Sequence, residues 1–344
     1  MKLIQRGKQP HPSENTDNSV RTEIQEYLEV RQQRRWIFPR AALVGFLAGV
    51  VALLFRAALT GADSLRNGIL TWAHQYPAFG WIFPVLFAML GAGVSVAITR
   101  RYAPEASGSG IPHLEAVLHR FRKLDWKRVL PVKFFGGVVA IGSGLALGRE
   151  GPTVQMGGAI GDATSRWLKS TERERLTLIS SGAGAGLAAA FNAPLSGLIF
   201  VLEEVRRDFQ PIVFGAAFVA AVIADIIARI GAGQFSVFAV PSYPVPPLAS
   251  LPIFAVLGIL AGLLGVLFNR GLLSTIQWYA RIPARFSLLA AAVTGGLVGL
   301  AGWFSPLLIG SGHALAESAL QGELVLIAIP VFFLVRFLLT VSSY

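Results

Sequence analysis

Apolar runs with few or no charged residues recur along the chain and have the length that crosses a lipid bilayer as a helix. Five such runs cover residues 79–99, 176–202, 211–224, 248–268 and 286–309. Hydrophobic residues make up 53% of the chain and charged residues 14%, which leaves too little polar surface for a soluble protein of 344 residues. The pattern predicts an all-α polytopic membrane protein.

The basic residues lie mainly in short connecting segments. Of the 30 lysines and arginines, eight fall within residues 1–40 and five within 120–128, whereas residues 231–250 carry no charge. Under the positive-inside rule, this distribution predicts a cytosolic N-terminus and an extracytoplasmic linker at 234–250. Residues 1–35 lack the apolar core of a signal peptide and are expected to form a flexible cytosolic arm. Basic residues placed in short connecting segments argue against a nucleic-acid partner, and a membrane-embedded chain is expected to have membrane lipid as a partner.

Two pairs of matching segments indicate an internal repeat. Gly-Phe-Leu-Ala-Gly at 45–49 returns as Gly-Ile-Leu-Ala-Gly at 258–262. A second set recurs 202 positions later, where Pro104, Gly108, Ser109, Gly110, Glu115 and Leu118 match Pro306, Gly310, Ser311, Gly312, Glu317 and Leu320. Duplicated bundles are common in secondary transporters, which hold the substrate between the copies.

The matches predict a first copy at 36–233 and the first part of a second copy at 251–344. The second copy is shorter, so about a hundred further residues of the duplicated unit are expected beyond Tyr344. The sequence leaves open whether the two copies are parallel or inverted.

Three segments place glycine, proline or charge within the apolar part of the chain: Gly-Ser-Gly-Ile-Pro at 108–112, Gly-Arg-Glu-Gly-Pro at 148–152 and Phe-Asn-Ala-Pro at 191–194. In the first two, a proline opens an apolar helix, where its missing N–H is tolerated. The helix then starts inside the protein and points its free N–H groups and positive dipole end at a dehydrated anion. Ser109 adds a hydroxyl donor. Re-entrant packing turns without a ligand are the alternative.

Acidic residues in apolar segments are costly and usually functional. Glu150 lies between Gly148 and Gly151 at a predicted helix start, where its carboxylate can occupy the anion site or swing away and take a proton. This arrangement predicts a gate, and a carboxylate that only complements the helix dipole is the alternative. Glu203 and Glu204 end an apolar run, and two adjacent carboxylates suit a proton site. A solvated helix end with ion pairs to Arg206 and Arg207 explains them equally well.

Other chemistry is poorly supported by the residues. Glu115 and Lys133, single opposite charges on neighbouring short segments, are predicted to form a structural charge pair. The chain has no cysteine and its five histidines show no metal-ligand spacing, so neither a metal nor a cofactor is expected. The glycines at 182–186 lie in an apolar run without a following Gly-Lys-Ser/Thr, which argues against a phosphate loop. With no Cys, paired His or Asp pair at membrane depth, an enzyme is not indicated.

The motifs at 108–112 and 148–152, and the stretch 186–194 continuing to Glu203 and Glu204, resemble the signature segments of the CLC family of chloride channels and chloride/proton antiporters, in its bacterial form. They occur in the family's order, and the resemblance extends from residue 36 to the end of the chain. It implies a CLC-type inverted repeat of tilted and broken helices. It also implies a homodimer in the cell membrane that moves chloride and protons, with one pathway in each subunit.

The resemblance further implies roles for particular residues. Glu150 would be the gating glutamate on the outer side, and Glu204 the inner proton-transfer glutamate, with Glu203 beside it. The chloride-binding residues would be Gly108, Ser109, Gly110, Ile111, Pro112, Gly148, Arg149, Gly151 and Pro152. A carboxylate at position 204 favours the exchangers over the passive channels, and Ser109 with Pro152 favours chloride over the fluoride-exporting branch.

One part of the family pattern has no match in the chain. The family has a further glycine-rich segment ending in Phe-x-Pro and a later tyrosine, both of which contribute to the central anion site. Tyr344 stands before that segment and is not expected to be this tyrosine. The sequence therefore predicts the N-terminal part of a chloride/proton antiporter, with a passive chloride channel or an inactive fragment of the transporter as alternatives.

Overall fold

A computed structural model describes most of the chain. Backbone structure is described for residues 12–207, 209–233, 243–325 and 327–344, and side chains are described within these ranges except at 12–35 and 232. This part of the chain contains twelve α-helices and no β-strand. The helices are α1 (Pro12–Ala73), α2 (Ile82–Tyr102), α3 (Ile111–Leu118), α4 (Trp126–Gly142), α5 (Glu150–Trp167), α6 (Glu172–Phe191), α7 (Pro194–Phe200), α8 (Pro211–Ala232), α9 (Leu251–Ala280), α10 (Ser287–Phe304), α11 (His313–Leu320) and α12 (Ala328–Ser343). The prediction of an all-α protein is confirmed.

Five helical segments are long and apolar enough to cross a membrane: Trp36–Ala73, Ile82–Tyr102, Pro211–Gly231, Leu248–Ala280 and Ala284–Phe304. The first was missed in the sequence because charged side chains such as Arg40 and Arg56 interrupt its apolar pattern. Conversely, the run 176–202 is divided between α6 and α7, so it is not one continuous span. The break falls at Asn192, whose φ of 52° ends α6 in the left-handed conformation.

Part of the predicted N-terminal arm is helical. Residues 12–35 form the first part of α1, which continues without interruption to Ala73. The segment is rich in Glu, Gln and Arg, which have high helix propensity, and it extends a helix that is already formed in the apolar segment behind it. Residues 1–11 of the predicted arm lie outside the described residues. So do residues 234–242 of the predicted linker.

Helices α5 and α6 form the centre of the first copy and touch along their backbones. All residues from Gly151 to Ile160 on α5 are buried. A Cβ on Gly157 would collide with the carbonyl of Gly182, and a Cβ on Gly186 would collide with the carbonyl of Thr153. Small residues in these helices therefore let the backbones approach closely, as in many membrane-protein interfaces. This tight pair fixes the position of the α5 N-terminus within the protein.

Helices α2 and α10 pack against each other in opposite directions. Arg100, near the end of α2, donates to the Ala284 carbonyl at 3.3 Å just before α10 begins. At the other end, a Cβ on Gly299 of α10 would lie 2.5 Å from the carbonyl oxygen of Pro84 near the start of α2. Each of these helices precedes one of the two Gly-Ser-Gly segments of the repeat. Equivalent helices of the two copies therefore run antiparallel, and the repeat is inverted.

Candidate anion site

The first Gly-Ser-Gly segment forms a tight turn that ends at the N-terminus of α3. Gly108 and Gly110 have φ values of 63° and 86°, a region that residues with a Cβ avoid. Ser109 lies between them, and its Oγ accepts a hydrogen bond from the Ile111 N–H at 3.3 Å. Pro112 occupies the first turn of α3, so its missing N–H leaves no donor unpaired. The predicted helix start at this motif is confirmed.

Lys133 of α4 stabilises this turn by hydrogen bonds to backbone carbonyl groups of the turn. Its side chain is 5% exposed, and Nζ donates to the carbonyl oxygens of Ala106 at 2.9 Å and Gly108 at 2.6 Å. The predicted charge pair with Glu115 is therefore wrong, since no ion pair joins the two side chains and Glu115 has no salt-bridge partner among the described residues. The turn carbonyls are nearer to the ammonium group and replace its hydration shell.

The start of α5 lies directly against the Ser109 turn. A Cβ on Gly151 would be 2.7 Å from the Ser109 carbonyl oxygen and 3.0 Å from the Ser109 Cα and Cβ atoms. The structure thus brings together the two motifs at 108–112 and 148–152, which are separated by all of α4. Two helix N-termini, those of α3 and α5, meet at this place, and their partial positive charges add.

Gln155 belongs to the same site and was not singled out in the sequence. It is fully buried, its Nε2 donates to the Glu105 carbonyl at 2.9 Å, and the side chain fills the space beside Gly110. A lone glutamine inside an apolar helix could have been noticed, because a buried amide needs partners outside its own helix. Gln155 fixes α5 to the segment that precedes the Ser109 turn.

Glu150 is the first residue of α5, and its side chain is half-buried. Its Oε2 occupies the space that a side chain at Gly148 would fill, so the carboxylate folds back over the helix start. Thr153 Oγ1 donates to the Glu150 carbonyl at 2.8 Å and lies 3.2 Å from the Arg149 carbonyl. The Glu150 side chain thus lies beside Gly148 at the start of α5, where a helix dipole favours an anionic group.

A cavity of about 490 Å³ adjoins both motifs. Ser109, Gly148, Pro152 and Lys133 line it from the first copy. The second copy also contributes residues of α9, α10 and α12 and their ends, which the sequence had not indicated as part of the site: Ile276, Tyr279, Ala280, Ile282, Ser287, Ala290, Ala291, Thr294, Ser342, Ser343 and Tyr344. Most of the wall is apolar, with few hydroxyl and amino groups, as in many small-ligand sites.

Glu203 and Glu204 lie apart from this cavity, at the end of the buried segment that follows α7. Both side chains are exposed and belong to a π-helical turn, Val201–Val205, in which the Arg206 N–H donates to the Val201 carbonyl at 2.8 Å. Such turns often occur at functional sites. Neither carboxylate makes an ion pair with a described residue, so the salt-bridged helix end is not observed.

The inverted repeat, the broken helices and the paired helix starts form an architecture that is common among membrane transporters. The model of the family described as "Voltage gated chloride channel" matches residues 91–344, and the chain belongs to this family. It is an integral membrane protein, as the five helical segments of spanning length indicate.

Particular relatives share much of the chain. It is 40% identical over 311 residues to the H(+)/Cl(-) exchange transporter ClcA of Cronobacter sakazakii, a match that covers 88% of this chain and 66% of that protein. The corresponding protein of Vibrio cholerae is 41% identical over 292 residues, covering 81% of this chain and 61% of the relative. The chain thus spans about two thirds of the length of these relatives.

Solved structures agree with the fold. A slow cyanobacterial Cl⁻/H⁺ antiporter superposes with a TM-score of 0.85 at 35% identity, over 90% of this chain and 73% of the other. A CLC-type fluoride/proton antiporter superposes with a TM-score of 0.75 at 22% identity, over 89% and 74% of the two chains, and shows the shared fold.

Proposed function

We propose that the protein exchanges chloride for protons across the membrane and that Glu150 is the gate. The observation that carries the proposal is the meeting of the two helix starts, with Gly151 against Ser109 and the Glu150 carboxylate folded over Gly148. Membership in the family and the names of the ClcA relatives support it.

The anion site is built from uncharged donors rather than from a bound cation. The N–H groups at the starts of α3 and α5 and the hydroxyl of Ser109 would replace the water that chloride loses. The proposed set comprises Gly108, Ser109, Gly110, Ile111, Pro112, Gly148, Arg149, Gly151 and Pro152, of which Ser109, Gly108, Gly148 and Pro152 line the cavity. Partial charges of this kind bind an anion without holding it so tightly that it cannot leave.

The coupling to protons would arise at Glu150. As a carboxylate it competes with chloride for the same N–H groups, and as a neutral acid it leaves them to the anion. Protonation of Glu150 would then let chloride replace the carboxylate in the site, and deprotonation would let the carboxylate replace chloride. Glu204 would pass protons to and from the inner solution. Its exposure and its position in a π-helical turn support this part of the proposal.

Two further features rest on family resemblance and on the distribution of charge. We propose that the protein forms a homodimer with one pathway in each subunit. We also propose that it lies in the cell membrane with its N-terminus in the cytosol, because basic residues concentrate in the segments assigned to that side.

The direct test is flux through Glu150→Gln in proteoliposomes, with chloride and proton movement recorded together. We expect chloride to move down its gradient with no coupled proton movement, since a carboxamide cannot alternate between the two forms. Glu115→Gln is a suitable control, because this half-buried glutamate has no salt-bridge partner among the described residues. Proton pumping by Glu150→Gln would disprove the gate, and chloride flux without proton coupling in the unmodified protein would favour a passive channel.

A further inference from the structure

The Gly-Ser-Gly segment of the second copy has the same local structure as the Ser109 turn. Gly310 and Gly312 have φ values of 69° and 80°. A short 3₁₀ turn that begins with proline precedes each segment (Pro104–Ala106 and Pro306–Leu308), and a helix of eight residues follows each. The resemblance of the two turns therefore extends from sequence to backbone geometry.

A basic side chain binds the same two carbonyl groups in each copy. In the first copy, Lys133 donates to Ala106 and Gly108, as described above. In the second, Arg336 of α12 donates from Nη1 to the Leu308 carbonyl at 3.1 Å and from Nη2 to the Gly310 carbonyl at 2.5 Å. Leu308 and Gly310 are the positions 202 residues after Ala106 and Gly108. Each turn is thus held by a basic side chain that binds two of its carbonyl groups.

The second turn has an additional guanidinium group. Arg66 of α1 is 8% exposed, and a Cβ on Gly310 would lie 2.9 Å from its Nη1. Nη1 pairs with Asp63 at 2.6 Å, but the buried Nε of Arg66 has no hydrogen-bond partner among the described residues. On the other side, a Cβ on Gly312 would lie 2.6 Å from Nη2 of Arg336. Two guanidinium groups flank one turn, and Asp63 is the one carboxylate that pairs with either of them in the described part of the chain.

The second turn also connects to the segment that leads to Glu150. The Gly310 N–H donates to the Gly144 carbonyl at 2.7 Å, and Gly144 belongs to the connection between α4 and α5. Because the two copies are inverted, this turn and the Ser109 turn open toward opposite faces of the membrane. An anion at the second turn would therefore stand on the Glu150 side of the protein.

We propose that the turn at 310–312, with Arg66 and Arg336, is a second binding site for a small monovalent anion. The guanidinium groups of Arg66 and Arg336 lie beside this turn, and the Ser311 hydroxyl and the N-terminus of α11 add donors with partial positive charge. That the anion is chloride passing to or from Glu150 rests on the proposed function, whereas the existence of the site does not.

Bromide provides the test, because its anomalous scattering locates it directly in crystals of the protein grown with bromide in place of chloride. We expect one peak at the Ser109 turn and another within contact distance of Ser311 and the two guanidinium groups. A peak at Ser109 alone overturns the second site. A peak at 310–312 alone supports the second site and contradicts the anion site of the proposed function, so the two failures are distinguishable.

Calorimetry with chloride gives an independent measurement. The unmodified protein should bind two chloride ions per chain, Ser109→Ala should weaken one of them, and Arg336→Gln should weaken the other by about tenfold through loss of a charge-assisted donor. A single site that is insensitive to Arg336→Gln contradicts the proposal. If Arg336→Gln does not fold, the bromide map of the unmodified protein decides alone.

Discussion

At the scale of single residues, the candidate site depends on groups that hold a turn rather than on groups that touch an ion. Lys133 is buried and binds two carbonyl oxygens of the Ser109 turn. Carbonyl groups that lose such a partner in an apolar site remain unpaired, which costs about 1–3 kcal/mol. The conformation of Ser109 is therefore linked to a charge on a different helix.

Replacement of this lysine should weaken the anion site. We expect Lys133→Met to raise the chloride Kd about tenfold and to lower thermal stability, because the Ala106 and Gly108 carbonyls lose their donor. Lys133→Arg should restore part of the affinity, since Arg336 binds the equivalent carbonyls in the second copy. Calorimetric titration with chloride checks both variants. An equal effect of Glu115→Gln would contradict the role given to the contacts of Lys133 with the two carbonyl groups.

Glu203 and Glu204 allow a second prediction at this scale, because adjacent exposed residues serve as each other's control. Glu204→Gln should reduce coupled proton movement by about 100-fold while chloride still passes, since a carboxamide does not relay protons. Glu203→Gln should have a smaller effect. Proton and chloride fluxes measured in parallel from the same proteoliposomes provide the comparison. Equal effects of the two substitutions, or full coupling in Glu204→Gln, would indicate that both glutamates are only solvent-exposed residues at a helix end.

The sequence identified some of these residues and missed others for a physical reason. Ser109 and Glu150 could be predicted because glycine and proline beside them mark a helix start within the same short segment. The partner of Lys133 and the role of Gln155 could not be predicted, because both depend on how α4 and α5 pack against the residues before α3. A charge in an apolar segment indicates that a partner exists but does not identify it, and a backbone carbonyl leaves no signature in the sequence.

At the scale of helices, the close approach of α5 and α6 determines where the α5 N-terminus lies. Glycines replace side chains where the two backbones touch, and a four-residue spacing of alanines on α8 has the same effect against α1 (Ala216, Ala220, Ala224 and Ala228). The breaks at 108–112, 148–152 and 191–194 were predictable from local composition. The packing of the buried helices was not predictable, because a run of small apolar residues can pack against several different helices equally well.

Addition of a single methyl group at this contact should destabilise the protein. Gly157→Ala would place its Cβ against the Gly182 carbonyl, and the backbones would have to separate at a cost of about 1–3 kcal/mol. Gly68→Ala on α1 is the matched control, since nothing lies within 4 Å of its Cβ position and alanine favours the helix. Thermal unfolding in detergent should show a lower Tm for the first variant and an unchanged or higher Tm for the second. Equal Tm values would contradict the tight contact.

At the scale of the whole molecule, the two copies of the repeat are inverted, so equivalent segments of the copies lie on opposite faces of the protein. The sequence suggested a duplication, but only the antiparallel packing of α2 and α10 gives the relative direction of the copies. The same packing brings the end of α2 and the segment before α10 together, and both are basic, with Arg100 and Arg101 in one and Arg281 and Arg285 in the other. Segments on the same face thus share the same charge, as the positive-inside rule requires.

This arrangement predicts which segments can be reached from each side of the membrane. The chain has no cysteine, so a single introduced cysteine reports its own position without background. Val245 in the linker is 93% exposed, and Lys123 in the basic segment between α3 and α4 is also exposed. An impermeant maleimide should label Val245→Cys in intact cells, because the positive-inside rule assigns the uncharged linker to the extracytoplasmic side. Lys123→Cys should react only after the membrane is opened or in inverted vesicles, because its segment carries five basic residues within 120–128. Labelling of Lys123→Cys but not Val245→Cys in intact cells would reverse the proposed orientation, and with it the assignment of Glu150 to the outer side.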